Sequence, residues 1–165
     1  MVNEPKEAGT RNISIKDQIL DTKVVYKALK DKIEKLGYDF IEKEHIKKDT
    51  KYGYEFKFKF SGYKQYDDFA NAEISVEAEF ENLNKVKVDG KEMERGDGLL
   101  RIKAVFTTDY KNNWGTTSMK KLLFNLYTKY FIGGRIKKLY KIPAINDLDE
   151  LSKTAKEKLE FYYKY

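Results

Sequence analysis

The sequence predicts an α+β domain with an N-terminal helix, a five-stranded and mostly antiparallel β-meander, and two C-terminal helices packed on the sheet. Two periodicities indicate this fold. Apolar residues recur at helical spacing before and after residues 38–110, and within those residues they alternate with polar residues. Because no helical pattern separates the alternating runs, short turns must join them, which favours antiparallel pairing.

The N-terminal residues 1–12 are polar and predict a flexible tail, so that a single folded domain spans residues 13–165. Ile13 and Ile15 alternate with polar neighbours, a pattern that also permits an extra edge strand. The predicted sheet therefore has five strands, with room for one more at its edge.

The first helix begins at Asp21 or Thr22, because either side chain can cap an N-terminus, and it ends near Leu36. Gly37 follows, at the position where glycine commonly terminates a helix. One face of this helix is apolar and comprises Val24, Val25, Leu29, Ile33 and Leu36.

Five strands are predicted in succession, at residues 38–46, 52–61, 69–81, 86–88 and 99–110. The second strand carries large aromatic side chains on one face, and the third carries mostly small or β-branched ones on its apolar face, together with Phe80. Asp89-Gly90 predicts a two-residue hairpin turn. One face of the sheet is apolar and requires a covering layer. On the other face, glutamates of the third strand are expected near Lys57 and Lys59.

The central stretch, residues 109–143, contains the only Trp, the only Gly-Gly pair and the densest positive charge of the chain. Gly133-Gly134 would end or kink a helix there, and Pro143 would stop a second short piece. The spacing predicts a helix whose apolar face is buried on the sheet, formed by Met119, Leu122, Leu123, Leu126, Tyr127 and Tyr130.

The last helix is predicted from Asn146 or Asp147 to about Tyr163. Its apolar seam comprises Leu148, Leu151, Ala155, Leu159 and Tyr162. The chain ends in more aromatic surface than one narrow seam buries, so a homodimer through this cluster is one hypothesis. The cluster comprises Phe161, Tyr162, Tyr163 and Tyr165.

The net charge of +6 is concentrated in residues 101–165, which hold 14 basic and 6 acidic residues, whereas residues 1–100 hold 19 and 21. Two interpretations compete. The basic residues of the central stretch solubilise the outer face of a core helix, or they bind RNA, the ribosome or DNA, with aromatic side chains available for stacking. The predicted nucleic-acid site comprises Trp114, Lys120, Lys121, Lys129, Arg135, Lys137, Lys138 and Lys141.

The sequence contains no motif of a catalytic or metal-binding site. It has no Cys and a single histidine, His45, which excludes Cys-ligated zinc, a multi-His metal site and a His-based catalytic triad. Asp67-Asp68 is more typical of a turn than of paired catalytic carboxylates. We therefore expect a non-enzymatic binding protein without a cofactor or a metal.

Two alternatives stay open. In the first alternative, the protein carries a hydrophobic small molecule in a helix-grip-like cavity between sheet and helix. Ala72 and Ala78 would leave the space for it opposite Phe56 and Phe58. In the second alternative, the protein is a homo-oligomeric scaffold that assembles through its aromatic C-terminus.

Composition also suggests where the protein works. The lack of Cys fits a reducing cytoplasm, the N-terminus lacks the apolar core of a signal peptide, and no apolar run approaches the roughly 20 residues of a membrane span. A chain rich in Lys and Glu, with only two Gln, is typical of hyperthermophile proteins, which predicts a thermostable protein, but an AT-rich genome leaves a similar composition.

Two segments resemble a group of small archaeal proteins of unknown function. They are G-Y-D-F after the first helix and D-Y-K-N-N-W-G-T-T-S-M-K-K-L-L-F-N-L-Y-T-K-Y-F-I-G-G-R-I in the central stretch. The resemblance covers residues 15–165, although Asn113 stands where the group has a basic residue before the Trp. It implies an archaeal source and the order of the elements, and it implies no activity.

Overall fold

The computed structural model describes residues 4–160, with Glu160 described by its backbone alone. Its elements in chain order are β1 (Lys6–Leu20), α1 (Thr22–Lys35), β2 (Asp39–Thr50), β3 (Gly53–Gln65), β4 (Ala70–Val88), β5 (Lys91–Thr108), α2 (Ser118–Tyr127), a first π-helical turn (Thr128–Ile132), α3 (Gly133–Ile136), a second π-helical turn (Lys137–Lys141) and α4 (Ile142–Glu160). The predicted α+β class and five-stranded antiparallel sheet are confirmed.

The strands form one sheet in the order β1-β5-β4-β3-β2, with every neighbouring pair antiparallel. Asp89 and Gly90 join β4 to β5 with φ angles of 50° and 79°, the left-handed backbone of the predicted hairpin turn. The predicted third and fourth strands are in fact one strand, β4. Its pairing with β5 is irregular between Glu81 and Asn84, and such a bulge bends a strand without ending it.

The structure of the N-terminal region corrects two predictions. The first helix follows β1, so no helix precedes the sheet. Residues 6–12 were assigned to a flexible tail, but they pair with β5, where Lys6 lies opposite Phe106. Their polar composition concealed the strand, because an edge strand with a half-buried face needs few apolar residues. The extra edge strand that Ile13 and Ile15 permitted is therefore the second half of β1.

The main core lies between the apolar face of the sheet and two helices, α1 and α4. The aromatic residues of β3 and the alternating residues of β4 are buried as predicted. The Asp21 carboxylate accepts hydrogen bonds from the N–H groups of Lys23 and Val24, which confirms the predicted start of α1. The helices contribute Val25, Leu29 and Ile33 from α1, and Leu148, Leu151, Ala155 and Leu159 from α4.

Only one of the two predicted C-terminal helices packs on the sheet. α4 does so, and it crosses β1 so closely that a Cβ added at Gly9 would lie 3.0 Å from Leu148 Cδ2. Pro143 does not stop a helix, because the second π-helical turn continues directly into α4 and Pro143 is the second residue of α4. The predicted dimer residues Phe161, Tyr162, Tyr163 and Tyr165 lie outside the described residues.

Candidate functional site

Residues 118–141, which we call the basic helical segment, run from α2 to the second π-helical turn without an intervening loop. One side of the segment is attached to the domain. Ile136 and Tyr140 are buried in a small second core with Ala70 and Phe106, at one end of β4 and β5. The segment thus leaves the sheet from a fixed attachment near its C-terminal end.

The side chain of Asp67 supports this attachment. Tyr140 donates its hydroxyl proton to Asp67 Oδ2 over 2.7 Å, while Asp67 Oδ1 accepts from the N–H groups of Phe69 and Ala70, both at 2.8 Å. Burial acts to raise the pKa of Asp67, but these hydrogen bonds outweigh it and lower the pKa from its ordinary value of 3.8. Asp67 therefore holds the start of β4 and the helical segment together as an ionised carboxylate.

A second carboxylate, Asp109, organises the loop before α2. Asp109 is 1% exposed and has a φ angle of 53°. Its two oxygens accept from the N–H groups of Asn113 and Trp114 over 2.9 and 2.8 Å. These bonds place the Trp114 ring against Phe124, with a ring-centroid distance of 6.1 Å. Trp114 nevertheless remains 42% exposed.

The apolar face of the basic helical segment is exposed, which contradicts the predicted burial on the sheet. This apolar stripe is 44–73% exposed and comprises Met119, Leu122, Leu123, Leu126, Tyr127 and Tyr130. The buried residue of α2 is Phe124, which is not part of the stripe and packs against Phe69 and Trp114. Because α1 and α4 already cover the sheet, the stripe of α2 faces outward. Phe131, at 77% exposure, adds to it.

The same segment carries seven basic side chains, and no acidic residue lies between Lys111 and Asp147. None of the seven forms an ion pair with any side chain that the structure describes: Lys120, Lys121, Lys129, Arg135, Lys137, Lys138 and Lys141. Lys111, just outside the segment, pairs with Asp68 over 2.6 Å. The basic charge of the segment is therefore uncompensated locally.

The outer face of the sheet differs in this respect. Lys59 pairs with Glu77 over 2.7 Å and Lys57 with Glu79 over 3.3 Å, as the alternation predicted. Such exposed pairs contribute about 0–1 kcal/mol each to stability. They do neutralise the sheet surface, so the excess positive charge stands out on the helical segment.

All eight predicted site residues thus occur on one continuous piece of chain, with Trp114 just before α2 and the basic residues along residues 120–141. Two residues that hold this piece in place, Asp67 and Asp109, were not recognised from the sequence. Asp67 was interpreted as part of a turn, and Asp109 as the end of a strand. A lone Asp beside a strand end gives no sign of which N–H groups it accepts from.

The features behind the carrier alternative lie elsewhere. Ala72 and Ala78 are buried in the main core, and Ala78 lies directly opposite Phe58. A groove of about 220 Å³ opens between α1 and strands β2 and β3, lined in part by Tyr26 and His45. The volume of this groove is below that of typical ligand pockets, which measure about 300–1,000 Å³. His45 there contacts Glu42, with 2.9 Å between Nδ1 and Oε1.

Comparison with known proteins leaves function to be inferred from this surface, because the chain matches no protein-family model and no curated protein. Within residues 4–160, no three His, Asp or Glu side chains converge as a metal ion would require. In the same part of the chain, every helix is too short or too polar to cross a membrane.

Proposed function

We propose that the protein is a non-enzymatic binding protein that docks through its basic helical segment onto a phosphate-bearing polyanion. The observation that carries the proposal is the set of seven basic side chains without a carboxylate partner among the described side chains. Unpaired cations on one surface create a positive potential that attracts and steers anions.

The chemistry of the segment favours phosphate contacts of low sequence specificity. Six of the seven basic residues are lysines, and a lysine ammonium acts on phosphate as a point charge, whereas arginine forms two directed hydrogen bonds. RNA, the ribosome and DNA, the partners predicted from sequence, all present phosphates, and so does an anionic membrane. Binding is expected to weaken steeply with salt.

The test measures binding of the full chain to mixed-sequence RNA, DNA and anionic lipid vesicles at low salt. The variant Lys121→Glu/Lys137→Glu/Lys138→Glu reverses three exposed charges of the segment. The matched control, Lys16→Glu/Lys23→Glu/Lys27→Glu, changes net charge equally at three exposed positions elsewhere. We expect the first variant to bind at least about tenfold more weakly, and the control to stay near wild type.

Salt dependence adds a second measurement for a nucleic-acid partner. If about four of the basic side chains reach phosphates, the logarithm of affinity falls with the logarithm of salt at a slope of about −3. The melting temperature of both variants should match the wild type, since exposed charges contribute little to stability. A protein that binds none of the three polyanions at low salt, or equal losses in both variants, would rule the proposal out.

A further inference from the structure

The apolar stripe lies on the same helical segment as the uncompensated basic residues. Its six members occur at helical spacing, and every one is at least 44% exposed. Contiguous apolar surface of this kind is rare on a monomer and marks a place where something binds. A partner for this segment must therefore provide negative charge for the basic side chains and also cover the exposed apolar stripe.

Two classes of partner match only half of this surface. Nucleic acid neutralises lysines, but it would leave Met119, Leu122 and Leu126 in water, because its backbone is charged. A second copy of the chain could cover the apolar stripe, yet pairing two segments would bring together seven positive charges from each without an intervening carboxylate. Like charges brought together in this way oppose association.

We infer that the partner is the surface of an anionic phospholipid bilayer, on which the basic helical segment lies in the membrane plane; this rests on the proposed function. An amphipathic helix binds at such a surface by burying its apolar face below the headgroups, while lysines reach the lipid phosphates. Long lysine side chains can extend from the helix flank to the headgroup level. Tyr is favoured at this interface, and Tyr127 and Tyr130 of the stripe supply it.

The attachment of the segment presents this face outward. Ile136 and Tyr140 are buried against the domain, and Tyr140 is hydrogen-bonded to Asp67. Phe124 packs on Phe69 from the side of α2 that does not carry the stripe. The domain is thereby fixed behind the segment, and the stripe is the part that reaches the lipid first.

The test uses the full chain with vesicles of phosphatidylcholine, with and without phosphatidylserine, and with mixed-sequence RNA and DNA as separate arms. Leu123→Gln/Leu126→Gln removes apolar surface while keeping a high helix propensity. The control, Ile41→Thr/Ile46→Thr, alters two residues of β2 with similar exposure, 48% and 47%. Vesicle co-sedimentation gives the affinity of each variant.

We expect wild type to bind the phosphatidylserine vesicles at least about tenfold more tightly than pure phosphatidylcholine. The Leu123→Gln/Leu126→Gln variant should lose at least about tenfold in vesicle affinity, and the control almost nothing. Met119→Gln/Leu122→Gln serves as a second variant should the first alter the circular dichroism spectrum. Loss of vesicle binding in either folded variant supports insertion.

Three outcomes overturn the inference. Wild type that binds RNA or DNA but not vesicles leaves the proposed function standing and removes the membrane. Wild type that binds vesicles equally well after the leucine substitutions shows that charge acts alone, without insertion. Wild type that binds neither vesicles nor nucleic acid removes the proposed function as well.

Discussion

Tyr140 donates a 2.7 Å hydrogen bond to Asp67 Oδ2, and this bond joins the basic helical segment to the connection between β3 and β4. The other oxygen of Asp67 accepts from the N–H groups that begin β4. One carboxylate therefore links the segment to the end of the sheet at which β3 connects to β4. Packing of Tyr140 against Tyr66 and Phe69 surrounds the same point with aromatic contacts.

Removing the hydroxyl of Tyr140 should loosen this attachment. Tyr140→Phe keeps the ring and its packing but deletes a hydrogen bond to an ionised carboxylate, which costs about 1–2 kcal/mol of unfolding free energy. We expect that loss in urea unfolding, with faster amide exchange in residues 133–141. Tyr127→Phe is the matched control, because Tyr127 is 49% exposed, and it should leave both measurements unchanged. Equal effects of the two substitutions would contradict the assigned role of Asp67.

Acid should weaken the same attachment. The folded pKa of Asp67 is lowered below 3.8, where burial opposes the shift and the hydrogen bonds from Tyr140, Ala70 and Phe69 outweigh it. A lowered folded pKa stabilises the protein above the unfolded pKa, and that stabilisation is lost as pH falls through the folded value. The difference in unfolding free energy between wild type and Asp67→Asn should therefore be constant near neutrality and shrink below pH 3.8.

The Tyr140→Phe background provides the control for this pH series. There Oδ2 of Asp67 lacks its donor, so the pH-dependent part of the difference made by Asp67→Asn should be smaller. A difference between wild type and Asp67→Asn that stays constant down to acid unfolding would mean that Asp67 is not held ionised by its hydrogen bonds.

The sequence predicted best those elements whose two faces meet different surroundings. The alternation in β3 and β4 reported burial directly, because successive side chains of a strand point to opposite faces. The cap at Asp21 and the turn at Asp89-Gly90 were found because each demands particular residue types. These signals are local, and the structure confirms each of them.

Elements whose environment depends on distant parts of the chain were predicted poorly. The spacing of Leu122, Leu123 and Leu126 correctly predicted a helix, but periodicity does not say what covers its apolar face. α4 took the place on the sheet assigned to α2, through Leu148 and Leu151. The basic residues of the candidate site could be named from charge alone. The prediction that its apolar face is buried was wrong, because the sequence does not show which helix covers the sheet.

Asp109 should be needed for the conformation of the Trp114 loop. Asp109→Ala removes the acceptors of two partly buried N–H hydrogen bonds and places Ala at a φ of 53°, so we expect a loss of about 2–4 kcal/mol. Asp89→Ala is the matched control, because Asp89 has a φ of 50° in an exposed turn, and it should cost only about 1–2 kcal/mol. Urea unfolding gives both values, and Trp114 fluorescence should change only in the Asp109 variant. Equal losses would show that backbone strain alone explains Asp109.

Gly133 and Gly134 test whether the basic helical segment continues through the glycine pair. Both lie in α3, where Gly133 has helical angles of −56° and −43°, and the distortion falls instead on Ile132, with φ −118° and ψ 0°. A Cβ at Gly134 would meet nothing within 4 Å, whereas a Cβ at Gly133 would lie 2.9 Å from the Thr128 carbonyl oxygen. Gly134→Ala should therefore stabilise the protein by about 0.5–1 kcal/mol through helix propensity, and Gly133→Ala should destabilise it. Had the glycines ended the helix in a left-handed conformation, as the sequence suggested, alanine at the left-handed position would cost about 1 kcal/mol. A loss of stability in Gly134→Ala, measured by urea unfolding, would thus refute the continuous segment on which both the cationic surface and the apolar stripe depend.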